Sequence, residues 1–293
     1  MQDQQLAAAP AAPRRASAAL LSTLHLLVVS LLAAAGPRGA AGHGILTKPA
    51  SRNWVDYLAN NYYWPDGLAA GGYQVVGKGG VQWPYGRHGL CGDAADESKP
   101  KWNNPGPVQE EYKAGQEVEL HVMITTNHYG RFFFRVCPLS AKEDKDCTNL
   151  QRADGKGDAW DLPKVAEGSR YNGGAVGLDN LRPMEQWNGF RWYPQPHVDC
   201  GYYKHCTRFE GTPVYAIKFR LPKDFKCDKC ILQWQYTTGH KCNPPCLKGD
   251  RYYPDCRTNP KYAGTYLTNT GYCGEPGTAY PEEFWNCADI KIT

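Results

Sequence analysis

The sequence of 293 residues is 42% hydrophobic and 21% charged, with a formal net charge of +4. That balance supports a packed core and excludes a membrane bundle, and the length suits one large β-domain or two small ones. Residues 1–42 carry Arg14, Arg15 and Arg38 against Asp3, which takes +2 of the charge and leaves about +2 spread over the rest; a field that weak and scattered excludes a nucleic-acid partner.

The chain opens with Arg14 and Arg15 ahead of an apolar run from Ala18 to Ala35. Gly36 to Gly42 follows, and Ala40 and Gly42 are the small residues that signal peptidase requires at −3 and −1. The expectation is a secretory signal peptide over residues 1–42, with His43 as the first residue of the secreted, extracellular chain. An uncleaved anchor is the competing reading, because 18 apolar residues approach the length that spans a bilayer; His25 and two serines within the run weigh against it. All twelve cysteines lie between Cys91 and Cys287. Their even number in a secreted chain predicts about six disulfides. Cys227-x-x-Cys230 and Cys242-x3-Cys246 leave zinc as a lesser alternative, since the other cysteines have no regular metal spacing.

Cleavage before His43 changes the chemistry of that residue. A terminal histidine presents its α-amine and ring Nδ1 to one metal as a chelate, which an internal histidine cannot do because its nitrogen is an amide. A second imidazole then completes a T-shaped set of three nitrogens, a donor set suited to copper. The amine binds only when deprotonated, and its ordinary pKa is about 7.7–8.0, so metal uptake at neutral pH expels a proton.

Residues 43 to about 115 lack helical periodicity and read as long loops and short strands, crowded with Gly, Pro, Asn and aromatics. Alternation then predicts strands over 118–124, 130–137, 214–221 and 230–236, with a last one over 288–292. The polar stretch 140–212 allows one short helix near Asp179–Glu185, and 240–280 reads as a disulfide-stapled excursion. Strands separated by loops argue for an all-β chain: an immunoglobulin- or fibronectin-III-like β-sandwich with long disulfide-stapled loops and few short helices. No repeat or linker divides residues 43–293, which are expected to form one catalytic domain.

His128, in Thr126-Asn127-His128-Tyr129-Gly130, falls between two predicted strands, in a loop held by the scaffold. His88, His121, His197, His205 and His240 read as structural or exposed. A glycoside hydrolase needs two opposed carboxylates; nothing marks Glu282, Glu283 and Asp289 as such a pair, and Asp289 reads as a structural acceptor.

The segments His43-Gly44-Ile45-Leu46-x-x-Pro49-Ala50-Ser51-Arg52, Leu90-Cys91-Gly92-Asp93, Thr126-Asn127-His128-x-Gly130, Leu232-Gln233-Trp234-Gln235-Tyr236 and Phe284-x-x-Cys287-Ala288-Asp289-Ile290 together resemble the lytic polysaccharide monooxygenases of auxiliary activity family fifteen, in the chitin-binding type-four group. The resemblance spans nearly all of residues 43–293. It implies one copper per chain, held by the amine and Nδ1 of His43 and by Nε2 of His128. It places Phe284 on the axial face as a steric lid without a ligand atom, and Gln233 or Gln235 as polar neighbours of the oxygen site. Thr126 stands where related families often carry alanine.

The implied reaction is oxidative cleavage of a crystalline polysaccharide, chitin or cellulose, with chitin the leading expectation. An external electron donor reduces the copper, O2 or H2O2 is the oxidant, and hydrogen is abstracted from C1 or C4 beside the glycosidic bond. A crystal cannot enter a pocket, so the metal is expected on a flat face of a monomer. The 19 tyrosines and 9 tryptophans supply ring surfaces of the kind that grip sugars; Tyr62, Tyr63, Trp64 and Tyr129 are the candidates around the copper. A non-catalytic carbohydrate-binding or wall-structural protein of the same fold is the reading from another class.

Overall fold

The structure is a computed structural model that describes residues 43–59, 64–126, 128, 130–162, 190–192, 213–239, 241–243 and 271–293. Eleven strands form among them: β1 (His43–Lys48), β2 (Glu110–Tyr112), β3 (Glu117–Thr126), β4 (Arg131–Pro138), β5 (Thr148–Asn149), β6 (Gln151–Arg152), β7 (Ala159–Asp161), β8 (Phe190–Trp192), β9 (Pro213–Arg220), β10 (Cys227–Thr237) and β11 (Glu283–Ile292). One sheet runs β1-β3-β9-β6, with β8 also on β9; the other runs β2-β11-β10-β4-β5, with β7 also on β4. Every pairing is antiparallel except that of β2 with β11.

The sandwich follows from period-two burial. Val118, Leu120, Val122 and Ile124 of β3 meet Tyr215, Ile217 and Phe219 of β9 and the inward residues of the second sheet in one core. That sheet contributes Phe132, Phe134 and Val136, then Leu232, Trp234 and Tyr236, then Phe284, Ala288 and Ile290. Its other face is covered as well. Ile231 and Cys287 pack under Leu68, Leu90, Cys91 and Trp102, while Trp285 packs with Ala70, Val76 and Tyr280. Burial on both faces explains why β4 can carry the uninterrupted run Phe132-Phe133-Phe134.

The five strands expected from alternation are all present. The stretch from 49 to 109 is different: it holds helices α1 (Arg52–Leu58) and α2 (Tyr73–Val76) and, among the described residues, no strand beyond an isolated bridge between His88 and Ala94. Helix α1 is only seven residues long, too short to show a helical period against its aromatic surroundings; its one sign is the i, i+3 pair Trp54 and Tyr57, stacked at 5.2 Å. The helix expected near Asp179–Glu185 lies outside the described residues.

Eight cysteines pair as Cys91–Cys287, Cys137–Cys147, Cys227–Cys230 and Cys242–Cys273. The zinc alternative therefore fails for Cys227, Cys230 and Cys242, whose sulfurs are engaged with other sulfurs. Cys200, Cys206, Cys246 and Cys256 lie outside the described residues. No helix among the described residues is long and apolar enough to cross a membrane.

A buried ion pair ties the covering segment to the sandwich. Arg52 Nε and Nη2 donate to Asp289 Oδ2 and Oδ1 at 2.8 and 2.7 Å, and the Gly106 amide donates to Oδ2 at 2.8 Å. Arg52 Nη1 also donates to the Trp102 carbonyl at 2.6 Å. Asp289 is thus the structural acceptor expected of it. Asp289→Ala would leave the buried guanidinium without its carboxylate and is expected to cost about 3–5 kcal/mol, read as a fall in the denaturation midpoint.

Close approach, in turn, dictates Gly44. A Cβ there would stand 2.7 Å from Ile124 Cδ1 and 2.8 Å from Trp234 Cη2, so β1 reaches its place over the core only without a side chain at that position. Gly44→Ala is expected to destabilise by about 1–3 kcal/mol through overpacking, measured by urea denaturation.

Candidate metal centre

His43 begins β1 and pairs with Thr126 at the end of β3, two residues before His128. The register shifts between His43 and Gly44, so that Thr125 is the extra residue of a bulge, a common device beside functional sites. Thr125 Oγ1 donates to Asp66 Oδ2 at 2.7 Å, and the same oxygen stands 3.8 Å from His43 Nδ1. Asp66 sits in the 3-10 turn Pro65–Gly67 and is 1% exposed. Helix α1 holds that turn in place through Asn53 Nδ2, which donates to the Pro65 carbonyl at 2.7 Å.

Two rings flank the His43 imidazole edge-on. Phe284, buried, lies 6.0 Å away at 87°, and Trp64, 48% exposed, lies 6.1 Å away at 82°. Phe284 stacks in turn on Tyr236, its cross-strand partner, at 5.9 Å and 30°.

His128 is held by its backbone. Its amide donates to the Tyr236 hydroxyl at 3.1 Å, and its carbonyl accepts from the Gly239 amide at 2.8 Å. Gly130 turns the chain into β4 at φ +92°, where a Cβ would lie 2.0 Å from the Thr237 carbonyl oxygen; only glycine fits. Glu282 Oε2 stands 3.5 Å from His128 Nδ1. A carboxylate on that side favours the tautomer protonated at Nδ1 and leaves the Nε2 lone pair for another partner.

The two histidines are each braced by a member of one couple of rings. His43 rests on Phe284, Phe284 on Tyr236, and the Tyr236 hydroxyl on the backbone of His128. Both imidazoles are partly exposed, with side-chain accessibilities of 21% and 12%. No cluster of three or more His, Cys, Asp or Glu side chains suited to a metal occurs among the described residues. Each histidine offers imidazole nitrogen, and the phenyl ring beside His43 has no donor atom. Such a nitrogen set fits copper better than a hard cation.

Gln233 and Gln235 do not belong to this centre. Alternation along β10 turns Tyr236 inward toward Phe284 and both glutamines to the opposite face. There Gln233 Nε2 donates to the Leu90 carbonyl and to Asp144, each at 2.8 Å, and Gln235 Nε2 donates to Glu283 Oε1 at 2.8 Å. The polar-neighbour role expected for them is corrected by that parity. Burial pushes the Glu283 carboxyl up from the ordinary carboxylate range, against the hydrogen bonds from Thr237 and Trp83 that hold it down.

Trp64 lies beside His43 as a candidate contact ring, whereas Tyr62, Tyr63 and Tyr129 lie outside the described residues. His88 stacks on Trp285 at 4.1 Å, and His121 Nε2 contacts Glu119 at 2.9 Å; both serve structure, as expected. Sequence reasoning missed Asp66, Glu282 and Tyr236. For Tyr236 the signal was present, since alternation in Gln233-Trp234-Gln235-Tyr236 puts it on the same face as its partner Phe284. Asp66 and Glu282 are lone acids in irregular stretches, and only the fold brings them to the imidazoles.

The family described as lytic polysaccharide mono-oxygenase, cellulose-degrading, matches residues 43–290, so its match begins at His43 itself. Among solved structures, the chain is similar to lytic polysaccharide monooxygenase AA15 from Thermobia domestica in the Cu(I) state, at 22% identity and a TM-score of 0.49, over 85% of this chain and 98% of that one. It is also similar to a chitin-binding domain from Burkholderia pseudomallei, at 10% identity and a TM-score of 0.34, over 86% of this chain and 100% of that one. No curated protein sequence matches. The family match extends over well more than half of the sequence, from the first strand to the last, and the chain belongs to the lytic polysaccharide mono-oxygenases.

Proposed function

We propose that this enzyme is secreted, loses residues 1–42, and cleaves crystalline chitin oxidatively at a copper held by His43 and His128. The observation that supports the reading is the bracing of His43 by Phe284 and of the His128 backbone by Tyr236, two stacked rings, with His43 at the start of β1. After cleavage the His43 amine and Nδ1 would supply two nitrogens and His128 Nε2 a third.

When bound, copper supplies one-electron chemistry for oxygen or peroxide activation, driven by an external electron donor. The chain's own residues do the positioning. Phe284, beside His43, has no donor atom and would not ligate. Asp66, buried beside His43 Nδ1, would place a carboxylate near a cation held there. Glu282, 3.5 Å from His128 Nδ1, would favour the proton on that nitrogen and leave Nε2 for the metal. Trp64, exposed beside His43, offers a ring face to a sugar of the polymer surface, together with Tyr62, Tyr63 and Tyr129. The protein acts as a monomer and oxidises C1 or C4 of the sugar flanking the broken bond. Cellulose is the second substrate, since the matching family is described as cellulose-degrading.

The test uses protein whose N-terminus is established by mass spectrometry. Copper-loaded chain beginning at His43 is expected to release oxidised oligosaccharides from chitin when given ascorbate, and His128→Ala is expected to release none. A mature terminus at another residue, or intact copper binding in His128→Ala, would sink the reading; more product from cellulose than from chitin would reverse the order of substrates.

Loss of the Glu282 carboxylate gives a graded outcome. Glu282→Ala is expected to weaken copper binding by about 10–100-fold, whereas Glu282→Gln, which keeps a carbonyl oxygen beside Nδ1, is expected to recover most of that loss. Calorimetric titration with Cu(II) separates the two variants.

A further inference from the structure

On the face of β11 opposite Phe284, a cavity of about 440 Å³ opens among Trp83, Phe133, Arg135, Asn149, Asp158 and Gln235, a volume within the ~300–1,000 Å³ usual for small-molecule sites. It is remote in character from the metal centre, which needs a flat face. We infer that this cavity is a second saccharide site, which takes a neutral sugar ring from a detached chain.

The walls are arranged before any ligand arrives. At the base Glu283, 3% exposed, accepts from Trp83 Nε1 at 2.8 Å, Gln235 Nε2 at 2.8 Å, Thr237 Oγ1 at 2.7 Å and Tyr280 Oη at 3.0 Å. These bonds fix the Trp83 ring and the Gln235 amide. Phe133 provides a second ring, over which the Arg135 guanidinium lies at 5.7 Å. Around the rim Arg135 Nε donates to Asn149 Oδ1 at 2.9 Å, and Asn149 Nδ2 to Asp158 Oδ2 at 2.6 Å. Groups already held by one another lose little freedom on binding.

Two features select the ligand class. Gln235, which lines the cavity, is 5% exposed, and its buried Oε1 has no hydrogen-bond partner among the described residues, which leaves one unsatisfied acceptor in the wall. The bases Arg135 and Lys145 do not outnumber the acids Asp144, Asp158 and Glu283, and Arg135 already pairs with Asp144 at 3.4 Å, which disfavours an anion such as a phosphate or a uronate. Apolar rings with donors and acceptors in balance match a sugar, whose ring faces are apolar and whose edge carries hydroxyls. The site does not depend on copper.

The experiment titrates mature His128→Ala protein with soluble chitotetraose and cellotetraose, each read by ligand-observed NMR saturation transfer. Saturable binding of at least one is expected. It is expected to weaken about ten-fold in an Asn149→Ala/Asp158→Ala double variant, the loss of roughly one or two hydrogen bonds, and to persist in Trp64→Ala. Both double-variant positions lie at the rim, and thermal denaturation confirms that the variant folds; Gln235→Leu is the second probe, with the same weakening expected. Absence of saturable binding by either sugar, loss of binding in Trp64→Ala alone, or tighter binding of a uronic-acid tetramer would overturn the inference. Because His128 is already replaced, failure here leaves the copper reading intact, and failure of the copper reading leaves this one to stand or fall by itself.

Discussion

A metal ligand at a chain terminus has to be immobilised by something other than the chain that precedes it. For the role proposed for His43, the pairing of β1 with β3 would perform that task, from Lys48 opposite His121 to His43 opposite Thr126. The pairing works because Gly44 lets the backbone pass against Ile124 and Trp234, and because Leu46 donates its amide to Asn286 Oδ1 at 2.9 Å, across to the other sheet. That last bond joins the strand of His43 to the strand of Phe284. The position of each is therefore referred to the other through the core and not through a loop.

Strand β11 and the residue before it then serve three environments in three consecutive positions. Glu282 addresses His128, Glu283 anchors the polar base of the outer cavity, and Phe284 faces His43. Side-chain alternation separates Glu283 from Phe284 by the thickness of a sheet, so a buried carboxylate and an apolar ring can sit side by side in sequence without sharing surroundings. The desolvation that raises the Glu283 carboxyl does not reach the imidazoles as a matter of contact, since its hydrogen-bond partners all lie on its own side.

Much of this was legible beforehand. Strong alternation in Val118–Ile124 and Cys230–Tyr236 made the strands readable, and the motifs singled out His43 and Phe284, whose rings lie 6.0 Å apart. Three things were not. Helix α1 is too short to announce itself through periodicity. The side of β10 that faces the site depends on register, and a single-residue difference in parity sent Gln233 and Gln235 to the outer face. Asp66 and Glu282 contact the histidines from turns and strand ends, where spacing in sequence carries no information about distance in space.

The geometry of β1 has a practical bearing on maturation. The contacts that seat it on the core, Gly44 against Ile124 and Trp234 and the Leu46 amide on Asn286, lie downstream of His43, so a sandwich bearing a surplus residue at that end can close its core as well as one trimmed correctly. Melting temperature and circular dichroism would then score the two forms alike, while only one owns a primary amine where the metal needs it. For preparations of this enzyme, end-group mass is the quality criterion that correct folding cannot replace.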